Sequence, residues 1–163
     1  MRTQKNKNAY VSTWVYSRLT DSSDNTYPRS LTILLSKAKE FELQQPQGKS
    51  APTDHLLRWN SLTKGLEIAS AERCDAIKNE YPELSEFFDN IGQLGSLFSD
   101  EKFKEFWQNA TQLQAQFNTF DAFLKRLKDI GLLDDKKYSK KYNYVIAPIY
   151  IDGFNIRTMG QRK

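Results

Sequence analysis

"SDEKFKEFWQNATQLQAQFNTFDAFLKRLKDIGLL", residues 99–133, is the stretch whose reading decides the fold. Phe106, Ala110, Leu113, Phe117, Phe120, Leu124 and Leu127 recur at alternating steps of four and three, a heptad register held over three repeats. Phe103, Trp107, Phe123 and Ile130 widen the stripe. Ser99 or Asp100 supplies an N-cap, and Gly131 followed by Leu132 reads as a left-handed stop with its hydrophobic contact. One helix over about 100–130 would span roughly 45 Å at 1.5 Å per residue. The alternative is a break at Asn118-Thr119, where Asn could cap a new helix. Such a stripe is expected to pack as core against the helices before it. Phe is unusual at the seam of a two-stranded coil, so Phe106, Trp107, Phe117, Phe120 and Phe123 are also candidates for a partner or self-association surface.

Upstream, Leu31, Leu34, Leu35, Ala38 and Phe41 keep helical spacing and predict a helix over about 30–43. The polar run "QQPQGKSAPTD" (44–54) ends it. A second helix is expected over about 54–79, capped by Thr53 or Asp54, and a third over about 82–98, opened by Pro82. Gly92 and Gly95 each weaken that third helix by about 1 kcal/mol relative to Ala. The β-branched and aromatic residues of "AYVSTWVYSRL" (9–19) predict a strand. "YNYVIAPIYI", "DG" and "FNIRTM" read as a hairpin over 142–159, with Asp152-Gly153 as a type I′ turn. Pro148 confines that strand to an edge or a bulge.

The expected fold class is therefore α+β, mostly α. A bundle of about four helices, with a long Phe-rich C-terminal helix, carries a small antiparallel sheet. That sheet would join the N-terminal strand to the C-terminal hairpin, within a single domain spanning 1–163.

The chemistry-bearing residues are few. His55 and Cys74 are the sole residues of their types, too few for a tetrahedral Cys/His zinc site. Cys74 is expected to be a small buried residue in a reducing compartment. No Gly-x-Gly-x-x-Gly or phosphate loop occurs. "DSSD" (21–24) and "LDD" (133–135) do not follow the EF-hand pattern. Glu83/Glu86 and Asp100/Glu101 sit at predicted helix starts, where they complement the macrodipole. These observations predict a non-enzyme without cofactor or metal. No apolar run reaches the ~20 residues of a membrane span, so a cytoplasmic protein is expected.

Charge supplies the functional lead. Residues 134–163 hold seven Lys/Arg against three Asp, and residues 1–10 hold Arg2, Lys5 and Lys7 without an acid. The chain is +4 overall, so its middle is mildly acidic. Lys136, Lys137, Lys140, Lys141, Arg157, Arg162 and Lys163 are candidate phosphate contacts. Tyr138, Tyr142, Tyr144 and Tyr150 would offer stacking faces. Lys5, Lys7 and Arg18 join them if the two ends of the chain converge. The plainer reading is that tyrosine suits strands and lysine protects edge strands from pairing.

Part of this region has a familiar pattern. "TFDAFLKRLKDIGLLDDKKYSKKYNYVI" (119–146) resembles the last third of a winged-helix DNA-binding domain. There a recognition helix ends in Gly-Leu-Leu and runs into a basic β-wing. The resemblance implies Lys125, Arg126 and Lys128 on the recognition helix, and Lys140 and Lys141 in the wing. Upstream, "ATQLQAQFN" (110–118) keeps the heptad and has no glycine turn.

Two functions are therefore expected. The first is a non-catalytic nucleic-acid-associated accessory protein, a subunit or modulator of a DNA- or RNA-processing complex. The second is a protein–protein interaction module, an inhibitor or scaffold, using an acidic helical face or the Phe-rich helix.

Overall fold

The computed structural model describes residues 11–46, 56–135 and 141–158. Its helices are α1 (Val11–Leu19), α2 (Pro28–Gln44), α3 (Trp59–Glu80), α4 (Ser85–Asn90), α5 (Asp100–Asn109), α6 (Thr111–Gln116) and α7 (Phe120–Asp129). Its strands are β1 (Leu97–Phe98), β2 (Leu133–Asp134) and β3 (Tyr144–Ile146), with short 3-10 turns at Pro82–Leu84, Ile91–Gln93 and Pro148–Tyr150. The chain is mostly helical with a small antiparallel sheet, as expected. None of its described helices is long and apolar enough to cross a membrane.

The decisive stretch forms three helices instead of one. Ala110 leaves the helical region at φ −96°, ψ 83°, and Phe117 and Thr119 are extended. Ser99 caps α5 by accepting from the Lys102 amide, and Thr119 caps α7 by accepting from the Ala122 amide. The expected break near 118–119 is present, with Thr119 as its cap. Ala110 has no side-chain acceptor, so Glu86 of α4 reaches across and accepts the Leu113 amide of α6 at 2.8 Å. The physical reason for the breaks is ring packing. In one straight helix Phe103 and Phe123 would lie about 30 Å apart; here their centroids are 5.6 Å apart. Folding the stripe back lets Phe103, Phe106 and Phe123 all meet Phe87.

The helix expected over 82–98 is also broken. After α4 and the Ile91–Gln93 turn, Gly95 takes φ +81° and the chain leaves as β1. The three strands lie in the order β1-β3-β2, with Leu97 opposite Val145 and Leu133 opposite Ile146. The expected sheet partners are therefore corrected. Residues 11–19 of the predicted N-terminal strand are helix α1, because Trp14, Val15 and Leu19 turn inward at helical spacing and pack on α2 and α3. Trp14 meets Trp59 edge-on at 4.7 Å. The predicted 142–159 hairpin is corrected too. Pro148 opens a 3-10 turn after β3, and residues 151–155 continue as turns packed on α3. Gly153 makes this possible, since a Cβ there would stand 2.5 Å from the Cys74 sulfur and the Ser70 carbonyl.

Helices α2 and α3 run antiparallel, tied by Arg29–Glu72 at one end and Glu42–Ser61 at the other. Their crossing is close at Gly65, where a Cβ would lie 2.3 Å from the Leu34 carbonyl oxygen. The core falls into two clusters. One joins α3 through β3 and the 148–156 turns; the smaller one joins α1, α2 and the first half of α3.

Candidate nucleic-acid interface

The corner from α7 into β2 is built by the backbone. Gly131 sits at φ +71°, its amide donates to the Lys128 carbonyl and the Leu132 amide to the Leu127 carbonyl. That pair of bonds is a Schellman ending, and it points the chain into β2. Because β2 and β3 pair antiparallel, residues 135–143 join two adjacent strands. α7 is thus followed by two adjacent strands, and β1 lies on the other side of β3.

Of the sequence-predicted contact residues, Lys5, Lys7, Lys136, Lys137, Tyr138, Lys140, Arg162 and Lys163 lie outside the described residues. His55 does too. Lys141 is exposed, with its ammonium 5.5 Å from the centre of the Tyr142 ring, which is half-buried. Tyr144 is a core residue. Its hydroxyl donates to Asp100 at 2.9 Å, and burial together with that carboxylate pushes its pKa upward. Tyr150 is fully buried. Stacking surface in this region therefore reduces, among the described tyrosines, to Tyr142.

Arg157 is exposed, but its carbonyl accepts from Ser96, whose own carbonyl accepts from Ile146. That places it at the far end of β3 from Lys141. The first helix does approach the end of the described chain, though not within a sheet: α1 packs on the Pro148–Tyr150 turn. Asp152 just beyond it is held above the usual carboxylate range by burial and by Glu67, and Arg18 opposes the shift.

On α7, Lys125 is exposed. Arg126 makes a forked contact with Glu83 at 3.2 and 2.8 Å and lies over the Tyr81 ring. Lys128 pairs with Asp135. Glu83 and Glu86 thus do more than complement a helix end: each ties α4 or its lead-in turn to a later helix. The candidate interface aromatics divide. Phe123 is fully buried, while Phe106, Trp107, Phe117 and Phe120 are half-buried and packed on the same cluster. Trp107 stacks on Phe123 at 5.2 Å.

Cys74 is buried, and burial pushes its thiol up to about 12, far from the thiolate needed for reactivity. No group of three or more His, Cys, Asp or Glu among the described residues is arranged to hold a metal ion. Asp21, the first acid of "DSSD", is buried and accepts from the Ser23 and Asn25 amides, the Asn25 side chain and the Tyr27 hydroxyl.

Sequence reasoning missed β1, β2 and the bond between Asp100 and Tyr144. Gly95 ahead of "SLF" is the signal that could have marked β1. Nothing in the sequence pairs Asp100 with Tyr144. Asp100 sits in the first turn of α5, and the Lys104 ammonium, with the Tyr144 hydroxyl, holds its carboxyl below the usual range. A depressed pKa contributes stability above the unfolded value and loses it as pH falls through the folded one. Asp100→Asn is accordingly expected to flatten the loss of stability as pH falls below about 4, the ordinary carboxylate value, read from thermal midpoints across that range. An unchanged acid profile would remove Asp100 from this role.

No family model, curated protein or solved structure matches this chain.

Proposed function

We propose that this protein is a non-catalytic nucleic-acid-binding accessory protein that contacts phosphates through the connection between β2 and β3. One observation supports this above the others: β2 and β3 pair antiparallel, so "DKKYSKKYN" (135–143) is the connection of a strand pair. It carries four lysines, and its one acid, Asp135, is already engaged by Lys128. A concentrated positive charge of this kind steers toward phosphate and releases counterions on contact. Lys125 on the neighbouring helix adds charge, and Lys141 over the Tyr142 ring combines an ammonium with an aromatic ring. The reading as a subunit or modulator of a DNA- or RNA-processing complex in the cytoplasm belongs to the same proposal.

A second reading, a protein–protein interaction module, is favoured by a different observation. Val11, Tyr16, Leu31 and Leu35 of α1 and α2 are 40–54% exposed. Exposed apolar groups on adjoining helices suit an interface better than the Phe-rich stripe, whose rings pack on one another.

Titration of the purified chain with single- and double-stranded DNA and RNA at two salt concentrations tests the first reading. Binding should weaken steeply with salt. Replacing Lys136, Lys137, Lys140 and Lys141 together by Ala should weaken it at least about tenfold and lower the salt slope by about one per lysine in contact. Absence of binding at low salt ends the proposal and leaves the interaction module.

A further inference from the structure

β2 is an edge strand, two residues long, at the root of the basic connection. Two residues of ladder would fray by themselves, because so short a pairing buries little and leaves its outer carbonyls open. What covers that edge comes from 111 residues away. The Ser22 amide donates to the Gly131 carbonyl at 2.8 Å, and the Ser22 hydroxyl donates to the Leu133 carbonyl at 3.0 Å. These two acceptors lie two residues apart, on the side of the strand turned away from β3.

The loop that delivers Ser22 is itself built to be stiff. Thr20 and Thr26 form an antiparallel bridge across its base. Asp21, 5% exposed, fills the interior and takes four donors from within the loop and its exit. Its carboxylate lies so near the Gly131 Cα that a Cβ there would stand 2.4 Å from an oxygen. The loop and the α7–β2 corner are therefore fitted to each other at the one residue with no side chain.

We propose that the Thr20–Thr26 loop is a brace for the β2–β3 pair, holding the root of the basic connection fixed against α7. The functional part of this rests on the nucleic-acid reading: a fixed root sets where the connection meets phosphate. Ser22 and Asp21 act as positioning residues and touch no ligand.

The test uses the full chain with Asp21→Asn and Ser22→Ala combined, and Ser23→Ala as a control at an exposed loop position whose side chain makes none of these contacts. Amide hydrogen exchange is followed along the chain, together with binding to a 20-base-pair duplex at low salt. The brace predicts exchange at the Ala147 amide, which donates to the Leu132 carbonyl, faster by about fivefold or more, with the Ile146 amide, which donates to Ser96 on the β1 side, and amides in the middle of α2 and α3 less affected. Duplex affinity should fall by a similar factor while the control matches wild type. Unchanged exchange at Ala147, or acceleration spread evenly over all helices, overturns the brace. Local acceleration with undiminished affinity overturns its role in positioning. If wild type binds no nucleic acid, the function proposed above fails, and the exchange pattern alone then decides whether the brace exists.

Discussion

Phe103→Ala is expected to cost about 3–5 kcal/mol of stability, the range for removing a buried ring that its surroundings cannot refill. Phe103 is fully buried and stands where four parts of the chain meet. Its ring lies 5.1 Å from Phe98 of β1, 5.3 Å from Tyr144 of β3, and 5.2 and 5.6 Å from Phe120 and Phe123 of α7. Phe87 of α4 completes the set at 6.2 Å. Transfer of the lost surface accounts for about half of the expected cost. The rest is the cavity, since each neighbouring ring is held by others and cannot move in. Urea denaturation of the variant beside wild type measures it. A loss under about 1 kcal/mol would mean that the rings around Phe103 collapse freely, against the packing described here.

Gly65→Ala is expected to destabilise by about 2 kcal/mol, although alanine is the better helix former. The propensity gain is about 1 kcal/mol. Against it stands a backbone contact: the new Cβ would lie 2.3 Å from the Leu34 carbonyl oxygen and 3.0 Å from the Ala38 amide nitrogen. Main chain cannot rotate aside as a side chain can, so α2 and α3 must separate. Overpacking of this sort costs about 1–3 kcal/mol and sits at the upper end when whole helices move. The smaller core cluster, which includes Leu34, Leu62 and Leu66, loses contact as they part. Thermal unfolding decides the sign: a raised midpoint would show that propensity outweighs the clash.

These two sites mark where the sequence could and could not be read. The Phe stripe identified the core correctly because a heptad of rings has few other fates, yet spacing cannot see a break that preserves the register. Ala110 and Phe117 fall on the stripe and face inward in any case. Only the closeness of Phe103 to Phe123 demands the turns between them, and that is a tertiary fact. The stop at Gly131 was legible because its cause is local, a residue free to take positive φ before a hydrophobic contact.

The strands failed in the opposite way. β-Branched and aromatic residues at 11–19 favour extended chain by fractions of a kcal/mol each. Burial of Leu19 against α2 and α3 is worth about 1.5–3 kcal/mol, and the half-buried Trp14 and Val15 add to it, which overrides the preference. β1 and β2, at two residues each, carry too little pattern to announce themselves. The Asp152-Gly153 signal did mark a turn, but the turn packs on a helix instead of joining two strands. The basic connection was legible from composition. That it links paired strands, and that Tyr144 and Tyr150 behind it are core, required the sheet.

Helix α3 depends on partners made long after it. Ser70 donates to the Ile149 carbonyl and accepts from the Gly153 amide, and Cys74 faces the Tyr150 carbonyl across 76 residues of sequence. On the ribosome, at about 5–20 residues per second, that separation is roughly 4–15 s during which the face of α3 bearing Ser70 and Cys74 lacks the 149–153 turn that packs on it. During synthesis the protein therefore leaves that face of α3 uncovered until residues 149–153 emerge. A nascent chain halted before them presents a surface suited to a chaperone, whereas the finished chain does not.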